Sequence, residues 1–385
     1  MKLNKSLIII IPFFSILLLF LSLGLIKEDN PYSMEESRTL AQLPAFDTNN
    51  IEKLSQDLDD YSIDQFPYRS HFLKYFTKLE ILQGKKAVRN AYIADDEWIF
   101  AKTYIANFNN LFNNMEEIAA KYGDKDFYYF VLPVKNYSLP NIDSLIVDKN
   151  SQVNLDSIYS RFEDNEDIKL VDIPSYYANN FSQEEIKKFW FRADFHWNAL
   201  GASEAVYYFL DSMHDMGGTQ KFDKSMVEIK YIDRRFQGDL NRRFSNFFST
   251  DEPTMVVSSK YVSDFKYYFS LDDSKPIKRS EIISRLIGND IVDYNGLYTL
   301  NLPFYRVSNP NAIDKSTILI LKDSLQNPTT EIFSTHFQQV IVVDARYEMP
   351  YSFEELVDIS DILLIMLHQN NPSEETAQFI GITQD

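Results

Sequence analysis

The chain reads as an α/β domain built on a mostly parallel sheet that helices cover on both faces. Four unbroken apolar runs carry this reading: 127–132 (FYYFVL), 317–321 (TILIL), 340–343 (VIVV) and 362–367 (ILLIML). Strands buried on both faces need such runs, whereas half-exposed strands alternate apolar with polar residues. Stretches with helical periodicity lie between the runs, the pattern of a parallel sheet. The composition, 45% hydrophobic and 24% charged over 385 residues, is globular and allows one large domain with a small extension.

The elements follow in order. Residues 6–26 (SLIIIIPFFSILLLFLSLGLI) carry no charge and are long enough, as an α-helix, to cross a hydrocarbon core of about 30 Å. Lys2 and Lys5 precede the run and Glu28 and Asp29 follow it, so charge bias leaves 1–5 in the cytoplasm and sends the rest across. A cleaved signal peptide is the competing reading. No small-x-small site clearly follows the run, which favours an uncleaved signal-anchor. Residues 27–86 read as a tether and helical extension, with Phe72, Tyr75, Phe76, Leu79, Ile81 and Leu82 on a broad apolar face. The α/β domain takes 87–385. Within it, helices are expected over 154–162 and from an Asn198 cap to about residue 213, and a short strand over 168–173. The stretch 214–312 is less regular and more polar and reads as an insertion lobe.

Charge and composition exclude several functions. Lys+Arg number 38 against 56 Asp+Glu, a formal charge of −18, which disfavours nucleic acid and strongly anionic polymers as partners. No cysteine is present, so there is no disulfide scaffold, thiolate metal site or cysteine nucleophile. The few glycines form neither phosphate-loop pattern. The histidines show no metal-ligand spacing, so neither a metal nor a cofactor is expected. His71, His214 and His336 read as ordinary surface residues. His368 lies near Asn370 and could line a cleft, although a plain structural role is the favoured reading.

Two segments could carry chemistry. In Arg192-Ala-Asp194-Phe195-His196-Trp197-Asn198, a carboxylate two residues before a histidine can orient the imidazole and stabilise its protonated form. In Lys322-Asp323-Ser324-Leu325-Gln326-Asn327-Pro328, a buried strand ends in a polar turn, and Asn327–Pro328 can cap the next helix. A serine at the carboxyl end of a parallel strand sits where open α/β sheets bind ligands. Ser324, His196 and Asp194 could then act as nucleophile, base and orienting acid. On the residues alone, a solvated loop with a cap is the better explanation of each segment.

The segment Asp194-Phe-His196-Trp197-Asn198-Ala-Leu-Gly201 resembles the DHHW protein family and its relatives, the alginate O-acetylation proteins AlgJ and AlgX with SGNH-hydrolase-like domains. Further stretches fall in the family's order: 33–44 (SMEESRTLAQLP), 64–69 (DQFPYR), 96–100 (DEWIF), Pro133-Val-Lys135, Lys322-Asp323-Ser324 and 343–347 (VDARY). The resemblance spans about residues 33–370. It implies a three-layer αβα sandwich with a circularly permuted SGNH motif order. It also implies Ser324 as nucleophile, His196 as general base and Asp194 as its partner. Asn370, with Gln369 and Asn371 as alternatives, lies where an SGNH oxyanion-hole asparagine could stand. Arg346 becomes a candidate for an anionic or hydroxyl-rich ligand, or a structural ion pair. Trp197 could flank the ligand cleft or brace the histidine.

The implied activity is extracytoplasmic O-acetyl transfer to a cell-envelope or exported polysaccharide, with acetyl supplied by a membrane-bound O-acyltransferase. Departures from the family pattern are Phe195 for its first histidine, Glu97 for a glycine, and Leu325-Gln326 after the serine. The last leaves open a non-catalytic glycan-binding or assembly partner; an extracellular acetylesterase is a third reading.

Overall fold

The computed structural model describes residues 5–33, 36, 38–46, 50–140, 148–248, 251–273, 275–283 and 290–381. The chain forms two compact units, residues 1–90 with 241–248 and residues 91–240 with 249–385.

The first unit contains helices α1 (Lys5–Ile26), α2 (Ile51–Asp64) and α3 (Arg69–Leu82). α1 holds the uncharged run, with Pro12 inside it. Its side chains are described for 9–24 and 26, and among the described residues no helix is long and apolar enough to cross a membrane. The helical stretch expected after residue 50 is broken between α2 and α3, where Tyr68 takes a left-handed φ of 60° beside Pro67. Asp64 accepts from Arg38 and from the Ala41 amide, and Arg69 pairs with Glu36 at 2.6 Å. The motif residues of 33–44 and 64–69 thus serve internal structure.

The second unit is built on a seven-stranded sheet. Its strands are β1 (Asp126–Leu132), β2 (Lys169–Asp172), β3 (Lys266–Tyr268), β4 (Phe304–Ser308), β5 (Asp314–Lys322), β6 (Phe337–Val343) and β7 (Ile362–His368). Their order across the sheet is β3-β4-β6-β5-β7-β1-β2. From β6 to β2 every neighbouring pair is parallel, and β4 and β3 extend the sheet antiparallel. The four apolar runs are the parallel strands β1, β5, β6 and β7.

Alternation along each strand feeds two cores. Phe127, Tyr129 and Val131 of β1 meet Phe112 and Met115 of α4 (Asn109–Lys121) and Leu155 and Ile158 of α5 (Lys149–Phe162). Tyr128, Phe130 and Leu132 face the opposite layer, with Ala202, Val206, Phe209 and Met213 of α6 (Ala199–Asp215). The sheet is therefore buried on both faces. Asn198 caps α6 as expected, accepting the amides of Leu200 and Gly201 at 2.9 and 3.3 Å.

The stretch 214–312 is not wholly a lobe. It supplies an antiparallel hairpin, Val227–Ile232 with Thr254–Ser259, and then the sheet edge β3 and β4. Residues 241–248 belong to the first unit.

β5 pairs with β6 on one side and with β7 on the other. The chain therefore leaves β5 to form β6 on one side and then crosses back to form β7 on the other. A crevice opens at the carboxyl ends of strands at such a reversal.

Candidate active site

Ser324 follows β5 and opens the short turn Ser324–Thr329. Asp323 organises it: one carboxylate oxygen accepts the Leu325 amide at 2.8 Å, the other the His368 amide at 2.7 Å. A single buried side chain thus ties the carboxyl ends of β5 and β7 together. Burial raises the Asp323 pKa against the opposing pull of Arg346 and those two amides. The cap is therefore Asp323, not Asn327. The Asn327 side-chain Oδ1 accepts from Lys322 Nζ at 2.6 Å, and α7 (Thr330–His336) begins only after the turn.

His196 reaches this turn from the loop before α6. Its Nε2 lies 2.8 Å from Ser324 Oγ, and its Nδ1 lies 2.7 Å from Asp194 Oδ1. Asp194 also accepts the amides of His196 (3.0 Å) and Asp239 (2.7 Å). Burial pushes the Asp194 carboxyl up, but the imidazole and the two amides outweigh it and hold the group at about 2. An ionised carboxylate only accepts, so Nδ1 carries the ring proton and Nε2 is left to accept from the serine hydroxyl.

The loop bearing Asp194 and His196 is clamped from two sides. The buried ammonium of Lys135, just after β1, donates to the carbonyls of Phe191 and Arg192, each at 3.1 Å, and to that of Asp194. Glu252 accepts the amides of Arg192 and Ala193, the latter at 2.9 Å. Burial lowers the Lys135 pKa and raises that of Glu252. A Cβ on Gly238 would stand 2.1 Å from the Ala193 carbonyl oxygen. Only glycine permits the approach that delivers the Asp239 amide to Asp194. Tyr294 stacks on the imidazole with ring centres 3.7 Å apart and donates its hydroxyl to the Ser324 carbonyl at 3.0 Å.

A cavity of about 290 Å³ opens on Ser324. Its walls include Asn136, Phe195, Arg346, His368 and Asn370. His368, for which a plain structural role is the reading the sequence favours, lines the cavity, and its geometry gives it a defined tautomer. Its Nδ1 accepts the Asn370 amide at 3.2 Å, so the neutral ring holds its proton on Nε2. Among the described residues nothing accepts that proton. Burial lowers the His368 pKa to about 3, which keeps the ring neutral.

The other expected residues divide. Arg346 lines the cavity, and Asp344 holds it through two oxygens at 2.7 and 2.6 Å. That is an ion pair, and the remaining guanidinium donors have no partner among the described residues. Asn370 also lines the cavity, but its amide is engaged: it donates to Ser151 Oγ and accepts from Asn154, both at 2.7 Å. Gln369 is buried and accepts the Val134 amide at 3.1 Å, and Asn371 accepts the Ser373 amide at 3.2 Å. Trp197 is fully buried and outside the cavity wall, with its indole N–H on the Leu325 carbonyl at 2.7 Å. That is a bracing position and not a ligand-flanking one. Glu252, Tyr294 and Gly238 went unmarked in sequence. They come from the irregular stretch, where no spacing relates them to the histidine. Among the described residues no group of three His, Asp or Glu side chains could hold a metal.

No protein-family model matches the sequence, and no curated protein matches it. Solved structures do. Bacillus cereus PatB1 with a sulfonyl adduct matches at a TM-score of 0.63 and 19% identity, over 75% of this chain and 97% of that one. A DHHW family protein from Eubacterium siraeum matches at 0.55 and 19%, over 76% and 94%. The O-acetyltransferase domain of Pseudomonas putida AlgJ is more distant, at 0.46 and 9%, over 74% and 93%. At these identities PatB1 and the DHHW family protein establish one thing, a shared α/β fold with a large, mostly parallel sheet.

Proposed function

We propose that the chain is an SGNH-like serine O-acetyltransferase, anchored by residues 6–26 with its α/β domain outside the cytoplasm, that acetylates a cell-envelope or exported polysaccharide. One observation carries the reading: the unbroken run of hydrogen bonds from Ser324 through His196 to Asp194, open to a cavity at the carboxyl end of β5. In the first step Ser324 Oγ bonds to the acetyl carbonyl carbon while His196 Nε2 takes its proton. The leaving group departs with that proton and an acetyl-serine ester remains. In the second step a sugar hydroxyl attacks the ester, gives its proton to His196, and the proton returns to Ser324. The carbonyl oxygen gains charge in both steps. The Ser324 amide, which has no partner among the described residues, and the His368 Nε2–H are the donors available to it.

Leu325 and Gln326, the departures that motivated a non-catalytic partner, are both buried. The Leu325 carbonyl serves Trp197, and the Gln326 amide donates to Thr330 at 3.2 Å. Neither change removes a polar group from the hydrogen-bonded run. An anchored domain would also sit near a membrane-bound acetyl donor, which raises the local concentration of acyl groups.

The test is mass spectrometry of the full chain treated with a sulfonyl fluoride and, separately, with 4-nitrophenyl acetate. A single adduct on Ser324, absent in Ser324→Ala, is expected, with turnover reduced on the order of 10⁴-fold in that variant. Unchanged turnover in Ser324→Ala overturns the proposal. Acetyl appearing on an added oligosaccharide identifies a transferase, and release as acetate alone identifies an esterase.

A further inference from the structure

We infer that α3 lies in the headgroup–acyl boundary of the bilayer that α1 enters, with its Phe72–Leu82 face in lipid; this rests on the anchor proposed above. α3 is exposed along almost its whole length. Phe72, Tyr75, Phe76, Leu79 and Leu82 are each between 51% and 68% exposed and recur every three or four residues, so they share one stripe. On the opposite side Thr77 is buried and its hydroxyl accepts from Arg89 of the same unit at 2.8 Å. Water gains nothing from a stripe of this kind, and exposed apolar patches mark interaction surfaces.

Two observations single out lipid as its occupant. First, the stripe is continuous with α1. The Phe20 ring stacks on Phe66 at 5.0 Å between centres and lies 6.0 Å from Phe72. Leu23 and Lys27 line one cavity with Pro67, Tyr68 and His71. Phe20 stands six residues before the end of α1, about 9 Å along its axis. A helix lying in a membrane interface sinks its apolar face roughly 5–10 Å. The first turn of α3 therefore sits at that depth whenever α1 is inserted. Second, the charge is reversed locally. Within 69–86, Arg69, Lys74, Lys78, Lys85 and Lys86 stand against Glu80 alone, in a chain of net charge −18. Aromatic and leucine side chains on one face, with lysines beside them, are the composition of interfacial helices on anionic lipid.

The chain has no cysteine, so single-cysteine variants label cleanly. The full chain is reconstituted in vesicles containing phosphatidylglycerol and labelled with an environment-sensitive fluorophore at Leu17→Cys, Ser70→Cys, Phe76→Cys and Leu79→Cys in turn. Lipids with quenchers on their acyl chains should extinguish Leu17→Cys, Phe76→Cys and Leu79→Cys but spare Ser70→Cys. Aqueous iodide should show the reverse. Loss of quenching at Leu17→Cys would remove the anchor itself. Quenching at Leu17→Cys with Phe76→Cys open to iodide would leave the anchor standing and overturn this inference. Protection of Phe76→Cys from both quenchers would mean that protein, such as a second copy of the chain, covers the stripe, and would overturn it too. Retained sulfonyl labelling of Ser324 certifies that each variant is folded.

Discussion

The indole of Trp197 donates to the carbonyl of Leu325 at 2.7 Å. The residue after the histidine is thereby tied to the residue after the serine. The two loops are 128 residues apart in the chain, and this bond together with the Tyr294 hydroxyl on the Ser324 carbonyl holds them in register. Trp197→Phe keeps an aromatic ring in the core and leaves the Leu325 carbonyl only the Tyr294 hydroxyl at 3.4 Å, which it shares with the Ser324 carbonyl, a loss of about 1 kcal/mol in stability. Serine labelling by the sulfonyl fluoride should slow roughly tenfold, because misplacement of the reacting groups is costly. Denaturant unfolding and labelling kinetics measure the two effects. A variant less stable but labelled at the wild-type rate would make Trp197 a packing residue only.

Gly238 offers a sharper version of the same argument. Its missing Cβ is what allows the Ala193 carbonyl to approach, and the next residue supplies an amide to Asp194. Gly238→Ala must push the two segments apart and strip Asp194 of one of its amides. Turnover of 4-nitrophenyl acetate is expected to fall on the order of 10²-fold, mostly in kcat. Far-ultraviolet circular dichroism should be unchanged. Full activity in the alanine variant would show that the Asp239 amide is dispensable.

The parts of this site that could be read from sequence are those whose signal is local. Parallel strands covered on both faces require unbroken apolar runs, so β1, β5, β6 and β7 declare themselves. Asn198 precedes a periodic helix and caps it. Asp194 and His196 are two residues apart, and their hydrogen bond is a local event. What could not be read depends on distant chain meeting distant chain. Glu252 and Tyr294 touch the histidine loop only because the irregular stretch folds back to become the sheet edge. Asn327 is the expected cap because it precedes a proline, but Lys322 from the buried strand claims its side-chain Oδ1, and Asp323 takes the capping role. The first unit shows the same division: the apolar face of α3 was evident from its spacing, whereas its junction with α1 through Phe20 was not.

His368 is the donor that local sequence could not assign. With Nδ1 committed to the Asn370 amide, its Nε2–H has no acceptor among the described residues, and the residue lines the same cavity as Ser324. Loss of one such donor to a developing oxyanion typically costs about 10²–10³ in kcat. His368→Ala should show a fall of that order in 4-nitrophenyl acetate turnover, with KM little changed. His368→Gln, whose amide can donate from a similar place, should recover part of it. Equal loss in both variants would assign His368 to structure, and no loss in either would take it out of the reaction.

His336 makes a prediction about pH. It was expected at the surface and is instead fully buried, with Nε2 2.6 Å from Thr219 Oγ1, whose hydroxyl donates to Asp314. Burial lowers its pKa from 6.5 to about 4, against the pull of Asp314 and with the help of His214. Between those two pH values the unfolded ring binds a proton and the folded ring does not. Stability therefore rises with pH across the window and is lost as pH falls through it, by up to about 3 kcal/mol for this residue. His368, also held neutral, adds a slope of the same sign. The readout is accordingly a difference: urea midpoints of the wild type and of His336→Gln, whose amide can still donate to Thr219, followed from pH 7 to pH 4. The wild-type midpoint should fall more steeply than the variant's, and the two should converge as acid is added. Parallel curves would mean that His336 takes up its proton without unfolding, and that its burial is not what makes the fold sensitive to acid.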